Sequence, residues 1–139
     1  MEIQTREFRI EDYDAAIDLW NRIEGLDIAE GDDRETIRRF LQRNPGLSRV
    51  AVNGTVLVGA VLCGHDGRRG YVYHLAVAPA FRAQGIGRRL IAECIAGLKE
   101  AGLERANILV ANDNPRGLEF WNSCGWEHLD GALPLGIDV

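Results

Sequence analysis

The residues best suited to chemistry in this sequence form the run Arg82-Ala83-Gln84-Gly85-Ile86-Gly87-Arg88. The run follows a strand-like stretch and leads into a helical pattern, so it falls at the start of a helix. The first amides of a helix have no partner within it and carry partial positive charge. Gly85 and Gly87 let a phosphate approach the backbone, and Arg82 and Arg88 add full charges. We therefore predict a diphosphate site at residues 82–88, with a plain tight turn before a surface helix as the alternative.

The strand that must position this run is Tyr71–Val77, which is rich in aromatic and β-branched residues. Pro79 ends it, because proline has no amide to donate to a ladder. The helix that follows has apolar residues at helical spacing and a stop signal at Gly102. Alternation along the strand puts one set of side chains on one face and a second set on the other, unless a local bulge reverses them. The two sets are Tyr71, Tyr73 and Leu75, and Val72, His74 and Ala76.

The other segments complete a predicted order β-α-α-β-β-β-α-β-α-β. A strand at 3–10 precedes a helix at 12–23, an acidic loop at 24–33 and a second helix at 34–44 that Asp33 caps. Asn53-Gly54 predicts a hairpin between two strands. A buried strand is expected at 105–111, a helix opened by Asn114-Pro115, and one or two short strands in 126–139. A single β-helix-β crossover makes one parallel pair, so the class is α/β (α+β), with a mixed, mostly antiparallel sheet.

Length and composition bound the function. The chain has 139 residues, which predicts a single domain over 1–139, and its 46% hydrophobic residues suffice for a core. A net charge of −5 argues against binding to nucleic acid or to an anionic membrane. We expect neither a signal peptide nor a membrane span. Cys63, Cys94 and Cys124 have no metal-site spacing, so reduced, packed thiols in a cytoplasmic protein are expected, and a nucleophilic cysteine stays open.

Several features in this order and spacing resemble the GNAT superfamily of acyl-CoA-dependent N-acetyltransferases, most nearly its small bacterial members. They are Leu75-Ala76-Val77, the run at 82–87, Asn114, and Phe120-Trp121 followed by Gly125-Trp126, and together they span nearly the whole chain. The resemblance implies helices on both sides of the sheet, acetyl-CoA as co-substrate without a metal, and transfer of its acetyl group to a primary amine.

The same resemblance implies roles for individual residues. The amides from Ala83 to Arg88 would hold the CoA pyrophosphate. The strand at 71–77 would splay from the next one, and its backbone at Leu75, Ala76 and Val77 would hold the pantetheine arm and polarise the acetyl carbonyl. Asn114 would contact the CoA arm, and Trp121 belongs to the same implied set.

One departure from the family pattern concerns the proton donor. Many members carry a tyrosine in the last helix that protonates the departing thiolate, and Trp121 stands at that place here. An indole N–H donates a hydrogen bond but does not deliver a proton at useful pH. Tyr73 is the leading catalytic candidate in its place, with water as a substitute, and His74 is the second because imidazole titrates near neutral pH. Plain packing stays open for both side chains.

The acceptor is not identified by any residue pattern. A protein N-terminus, lysine, polyamine, amino acid or antibiotic all remain open, as does a homodimer formed through the weakly patterned tail. Trp20, Glu24 and Asp27 are candidates to shape the acceptor entrance, and the acidic loop at 24–33 is either a rim that attracts a cation or a solvated connection. The missing tyrosine suggests a non-catalytic acyl-CoA-binding or sensor module as an alternative, and a structural protein with an incidental glycine turn is the third.

Overall fold

The computed structural model describes residues 2–139, which group into two compact units that are described separately. The first unit runs up to Leu109 and the second is Val110–Val139. The first contains all the strands: β1 (Ile3–Glu7), β2 (Arg49–Asn53), β3 (Val56–His65), β4 (Gly70–Val77) and β5 (Ala106–Asn107). It also contains the helices α1 (Tyr13–Asn21), α2 (Arg34–Arg43) and α3 (Ile86–Glu100), and the second unit contains α4 (Pro115–Ser123).

The five strands form one sheet in the order β1-β2-β3-β4-β5. Neighbouring strands are antiparallel except β4 and β5, which are parallel because α3 crosses over between them. The predicted mixed, mostly antiparallel sheet is confirmed, and so is the order of elements from β1 to α4.

Helices cover both faces of the sheet. On one face, Ala60, Leu62 and Ala76 pack in a core with buried residues of α1 and α2, such as Trp20 and Ile37. On the other face, α3 packs so closely that a Cβ at Gly59 would lie 3.2 Å from Leu90, and a Cβ at Gly70 would lie 2.5 Å from Leu98. The flanking helices implied by the family resemblance are therefore present on both sides.

Capping and turn residues set most of the helix and strand boundaries. Asp33 caps α2 by accepting from the Thr36 amide, and Asn114 caps α4 by accepting from the Gly117 amide at 3.0 Å. The hairpin forms as predicted, although Asn53 pairs with Val56, so its two turn residues are Gly54 and Thr55.

Two expectations near the end of the chain are corrected. The strand predicted at 105–111 is reduced to Ala106–Asn107, and Leu109 is 74% exposed. The reason is that β5 pairs with β4 only at Gly70 and Tyr71, so the residues beyond have no ladder with β4. Residues 126–139 contain no strand, and their alternating apolar side chains, such as Leu133 and Leu135, are exposed. A period-2 pattern alone does not form a strand without a partner to receive its hydrogen bonds.

Candidate active site

A β-bulge in β4 determines where its side chains lie. Tyr73 pairs with Leu62 and Ala76 pairs with Ala60, so His74 and Leu75 together stand opposite the single residue Val61. His74 accommodates the extra residue with φ of +54°, a left-handed conformation that non-glycine residues rarely adopt. Because the bulge shifts the alternation by one position, His74 lies on the same face as Tyr73.

The predicted faces of β4 are therefore wrong beyond Tyr73. Regular alternation separates His74 and Ala76 from Tyr73, whereas in the structure all three face α1 and α2. Val72 keeps its predicted place on the opposite face and is fully buried. The error has a physical cause, since one inserted residue moves every later side chain of a strand to the other face.

His74 forms a close pair with Asp32. Its Nε2 lies 3.0 Å from both Oδ1 and Oδ2 of Asp32, and the two side chains are 20% and 12% exposed. The imidazole also packs against Trp20 of α1, with 5.1 Å between ring centroids. The pair is thus a partly desolvated imidazole and carboxylate on the inner face of the sheet, where a proton can be held or moved.

The loop between α1 and α2 holds Asp32 in place. Its Oδ2 accepts from the Ala29 amide at 3.0 Å, and its own amide donates to the Ala29 carbonyl at 3.1 Å. Its backbone carbonyl accepts from the hydroxyl of Tyr13 at 2.6 Å. Asp32 belongs to the acidic loop at 24–33, which was predicted to be either a solvated connection or a rim that attracts a cation. Of the other proposed entrance residues, Glu24 and Asp27 are exposed, whereas Trp20 is fully buried beside His74.

Aromatic rings surround Tyr73. It stacks on Tyr71, with centroids 6.1 Å apart and planes 17° apart, and it meets Phe40 of α2 edge-on at 6.2 Å. Burial raises the pKa of Tyr73 above its ordinary value, with nearby Tyr71 and Asp66 adding to the effect. Tyr73 is still 38% exposed. It is therefore a protonated, accessible phenol at neutral pH, suited to donating a hydrogen bond or a proton.

The β4 strand diverges from β5 along the second half of its length. The parallel ladder joins Gly70 to Ala106 and Tyr71 to Asn107, and it extends no further. In the part of the chain that the structure describes, no other strand pairs with this side of β4. Ala76 directs its backbone groups to Ala60 of β3, so the backbone groups that lie along the opened edge of the sheet in this stretch are those of Leu75 and Val77.

The glycine turn follows this opened edge directly. A short 3-10 turn at Pro79–Phe81 leads to Ala83, with φ of +61°, and to Gly85, with φ of +79°. Left-handed residues in such a turn aim successive amides to one side, which is a common way to build an anion site. Gly85 is the N-cap of α3, and no side chain caps the helix there.

The arginines of the turn are on the surface. Arg82 and Arg88 are both exposed, and the Arg82 side chain makes a long contact of 3.4 Å with the Val77 carbonyl. Gln84 is exposed as well, whereas Ile86 and Gly87 are buried at the start of the helix. The predicted cradle residues 82–88 are therefore brought together in one turn, directly after the candidate catalytic pair on β4.

Two of the predicted site residues lie in the second unit. Asn114 is the N-cap of α4, and Trp121 is buried on that helix, in edge-on contact with Phe120 at 5.3 Å and with Trp126 at 4.9 Å. Trp121 is thus part of an aromatic cluster within its own unit.

The cysteines have no catalytic surroundings. All three are free thiols, and Cys63 and Cys94 are fully buried. A hydrogen bond with Cys63, together with burial, raises the pKa of the Cys94 thiol well above its ordinary value, so this thiol stays protonated. Among residues 2–139, no group of three or more His, Cys, Asp or Glu side chains could hold a metal ion, and no helix is long and apolar enough to cross a membrane.

A bulged strand that loses its parallel neighbour and runs into a helix without a side-chain cap agrees with the fold that the family resemblance implies. The model of the Acetyltransferase (GNAT) family matches residues 7–126, and the chain is 33% identical to Acetyltransferase SG1711 of Sodalis glossinidius (strain morsitans) over 134 residues, which are 96% of this chain and 94% of that protein. The chain belongs to the GNAT family and is an N-acetyltransferase of that type.

Solved structures share the fold at low sequence identity. The PaiA N-acetyltransferase from Thermoplasma acidophilum in complex with coenzyme A has a TM-score of 0.80 and 19% identity, with 95% of this chain and 94% of that one covered. A predicted acetyltransferase with acetyl-CoA from Clostridium acetobutylicum has a TM-score of 0.74 and 17% identity, with 97% and 96% covered. The first neighbour was solved with coenzyme A and the second with acetyl-CoA, the co-substrate that the sequence resemblance implies for this chain.

Proposed function

We propose that this protein transfers the acetyl group of acetyl-CoA to a primary amine by direct attack of the amine on the thioester. The observation that carries the proposal is the bulge at His74. It puts an imidazole and a phenol on one face of β4, immediately before the opened backbone edge and the uncapped start of α3. The family membership and the coenzyme-bound neighbours support acetyl-CoA as the donor.

The residues of the turn fit a diphosphate. The amides from Ala83 to Arg88 would hold the pyrophosphate, because two left-handed residues and a helix N-terminus concentrate amide groups there. The backbone at Leu75 and Val77 would hold the pantetheine arm and donate to the carbonyl oxygen as negative charge develops on it. One fixed donor of this kind is worth about 3 kcal/mol of transition-state stabilisation. Asn114 and Trp121 are proposed to contact the CoA arm.

The side chains divide the proton transfers. An alkyl amine has a pKa of about 10.4 and is almost fully protonated at pH 7, so a base is needed to give the attacking form. We assign that role to His74. The ammonium gives one proton to the imidazole, which passes it to solvent, and the neutral nitrogen then bonds to the acetyl carbon. The carbon–sulfur bond breaks, and the nitrogen gives its second excess proton to the imidazole. The departing thiolate takes a proton from water or from Tyr73, which then regains one from solvent. Tyr73 can donate because a phenol is protonated at neutral pH and its side chain is 38% exposed.

This assignment weakens the case for a non-catalytic acyl-CoA-binding module, whose motivation was Trp121 at the usual tyrosine position. We also propose that both units form one N-acetyltransferase domain over 1–139, since the family match runs across the boundary between them. A cytoplasmic location is supported by the three free thiols. The acceptor amine and the dimeric state stay open.

The test of the proposal is titration calorimetry with acetyl-CoA and CoA, followed by a thiol-release assay with a panel of primary amines. The variant is Gly85→Val, and Gly102→Val is its matched control, because both glycines have left-handed φ and open space around a Cβ. We expect equal destabilisation of the two variants, with at least a tenfold loss of acetyl-CoA affinity only in Gly85→Val.

Two results would contradict the proposal. Acetyl-CoA and CoA that bind no more tightly than millimolar would exclude the donor. Tight binding without thiol release from any amine would exclude the transfer while leaving the coenzyme site intact.

A further inference from the structure

We infer that Asp32 is the positioning residue for His74, and that it leaves Nδ1 rather than Nε2 as the ring nitrogen that takes the amine proton. The catalytic half of this inference rests on the proposed function. The other half, which concerns the tautomer of a single histidine, can be measured on the protein without any substrate.

The hydrogen bond between the two side chains assigns the ring proton. Nε2 of His74 lies 3.0 Å from each oxygen of Asp32. A carboxylate only accepts hydrogen bonds, so the nitrogen that faces it must carry the hydrogen. Neutral imidazole has one N–H and one lone pair, and the lone pair is therefore on Nδ1. The nitrogen available to a substrate is the one nearer the backbone of β4.

Asp32 is held at its side chain and at its backbone, which distinguishes it from an ordinary surface acid. The Ala29 amide donates to Oδ2, and the hydroxyl of Tyr13 donates to the Asp32 carbonyl. The Asp32 side chain is only 12% exposed. An anchored carboxylate in this position fixes both the rotation of the imidazole and its tautomer, as outer hydrogen-bond partners of histidine do at other reactive sites.

The surroundings of His74 make Asp32 its counter-charge. Three side chains surround the imidazole: Asp32 of the α1–α2 loop, the neutral Trp20 of α1, and Tyr73 of its own strand. Burial raises the pKa of Tyr73, so this phenol stays uncharged. The facing part of β3 is apolar, at Ala60 to Leu62. When the imidazole accepts a proton, the carboxylate at 3.0 Å stabilises the cation that forms.

The geometry predicts what Asp32→Asn does. The Ala29 amide needs an acceptor, so the new side chain places its carbonyl oxygen there and turns its NH₂ group toward His74. The NH₂ group takes the position of Oδ1, 3.0 Å from Nε2, so a donor replaces one of the two acceptors there. The repulsion between two facing N–H groups favours the tautomer with the ring proton on Nδ1. The nitrogen that should take the amine proton is then blocked, although the shape of the site is unchanged.

The experiment is ¹⁵N–¹H long-range correlation spectroscopy of histidine-labelled protein above the titration range of imidazole. The signals of His74 are assigned by their absence from the spectrum of His74→Gln. His65 is the internal reference for the Nε2–H form, because its Nδ1 accepts a hydrogen bond from the Gly67 amide at 3.0 Å. We expect the Nε2–H form for His74 in the wild type and the Nδ1–H form in Asp32→Asn. Asp33→Asn is the matched control, since asparagine also caps helices well, and it leaves the His74 tautomer unchanged.

Kinetics test the catalytic half. We expect Asp32→Asn and Asp32→Ala to lose about 10²-fold or more in kcat, with the KM for acetyl-CoA changed no more than about twofold. Coenzyme binding measured by calorimetry shows whether each variant is folded. A wild-type Nδ1–H form would overturn the inference, even if no variant folds, and so would full turnover in Asp32→Asn. If the wild type binds coenzyme but shows no turnover, the proposed function is overturned instead. The tautomer measured in the wild type would then still test whether Asp32 orients the imidazole of His74.

Discussion

The left-handed backbone of His74 predicts that glycine at this position gives a more stable protein than alanine, which is the reverse of the usual order in a strand. Replacing His74 by alanine or by glycine removes the same pair with Asp32 and the same contact with Trp20. The two variants therefore differ only in the conformational free energy of a residue with or without a Cβ at φ of +54°. In an ordinary strand alanine is the more stable of the two, whereas at this bulge we expect glycine to be.

The magnitude follows from two opposing terms. A left-handed conformation costs an L-residue about 1–2 kcal/mol, and glycine escapes this cost. Glycine in turn loses more backbone freedom on folding, which costs about 0.5–1 kcal/mol relative to alanine. The difference favours His74→Gly by about 0–1.5 kcal/mol in the free energy of unfolding, with a midpoint of about 0.75 kcal/mol. For a chain of this length that is a rise in Tm of roughly 2–4 °C over His74→Ala.

The assay is urea unfolding of four variants followed by circular dichroism. Val72→Ala and Val72→Gly form the matched pair, because Val72 lies on the same strand, is fully buried and has no positive φ. At that position alanine should be the more stable residue. If His74→Ala proves as stable as His74→Gly or more so, the bulge does not hold residue 74 in the left-handed region in solution, and the shared face of Tyr73 and His74 loses its basis.

The same reasoning predicts that Ala83→Gly, at a residue with φ of +61°, raises the Tm of the protein. Its control is Ala80→Gly, at an exposed residue of the preceding 3-10 turn, which should lower the Tm. Equal effects of the two substitutions would argue against backbone strain at Ala83. Tyr73 gives a prediction at alkaline pH. Because its pKa is raised in the folded state, its contribution to stability is complete below a pH of about 10 and is lost as the pH rises through the raised value. Tyr73→Phe should therefore show a smaller fall in Tm between pH of about 9 and 11 than the wild type, and an equal fall would mean that Tyr73 is not desolvated.

The fold was largely predictable because its signals are local. Three such signals each mark a boundary within three or four residues of chain: the Asn-Gly turn of the hairpin, the Asp33 cap and the Asn114 cap. The extent of β5 could not be found this way, because a strand persists only as far as a partner receives its hydrogen bonds. The ladder with that partner, β4, ends at the pair of Tyr71 with Asn107. Ile108 and Leu109 have the composition of a strand without the neighbour that would make them one.

The site was predictable only in part, for the same reason. The glycine turn and the strand before it are contiguous in sequence, so their order alone indicates an anion site. Asp32 is 42 residues from His74, and nothing in the acidic loop distinguishes it from Glu30 or Asp33. The bulge that brings His74 to face it depends on the register of β3 against β4, which is a property of two strands and not of either sequence.

A histidine at the bulge is itself an argument for function. The backbone there requires a conformation in which glycine costs nothing and histidine costs about 1–2 kcal/mol, so local stability alone favours glycine. The imidazole at this position contacts a buried indole and an anchored carboxylate, on the strand that leads to the coenzyme turn. Residues that break a local rule are concentrated at functional sites, where the side chain has a use that offsets the strain. The strain at residue 74 thus supports the proposal that His74 is the reacting base, independently of its distance to Asp32.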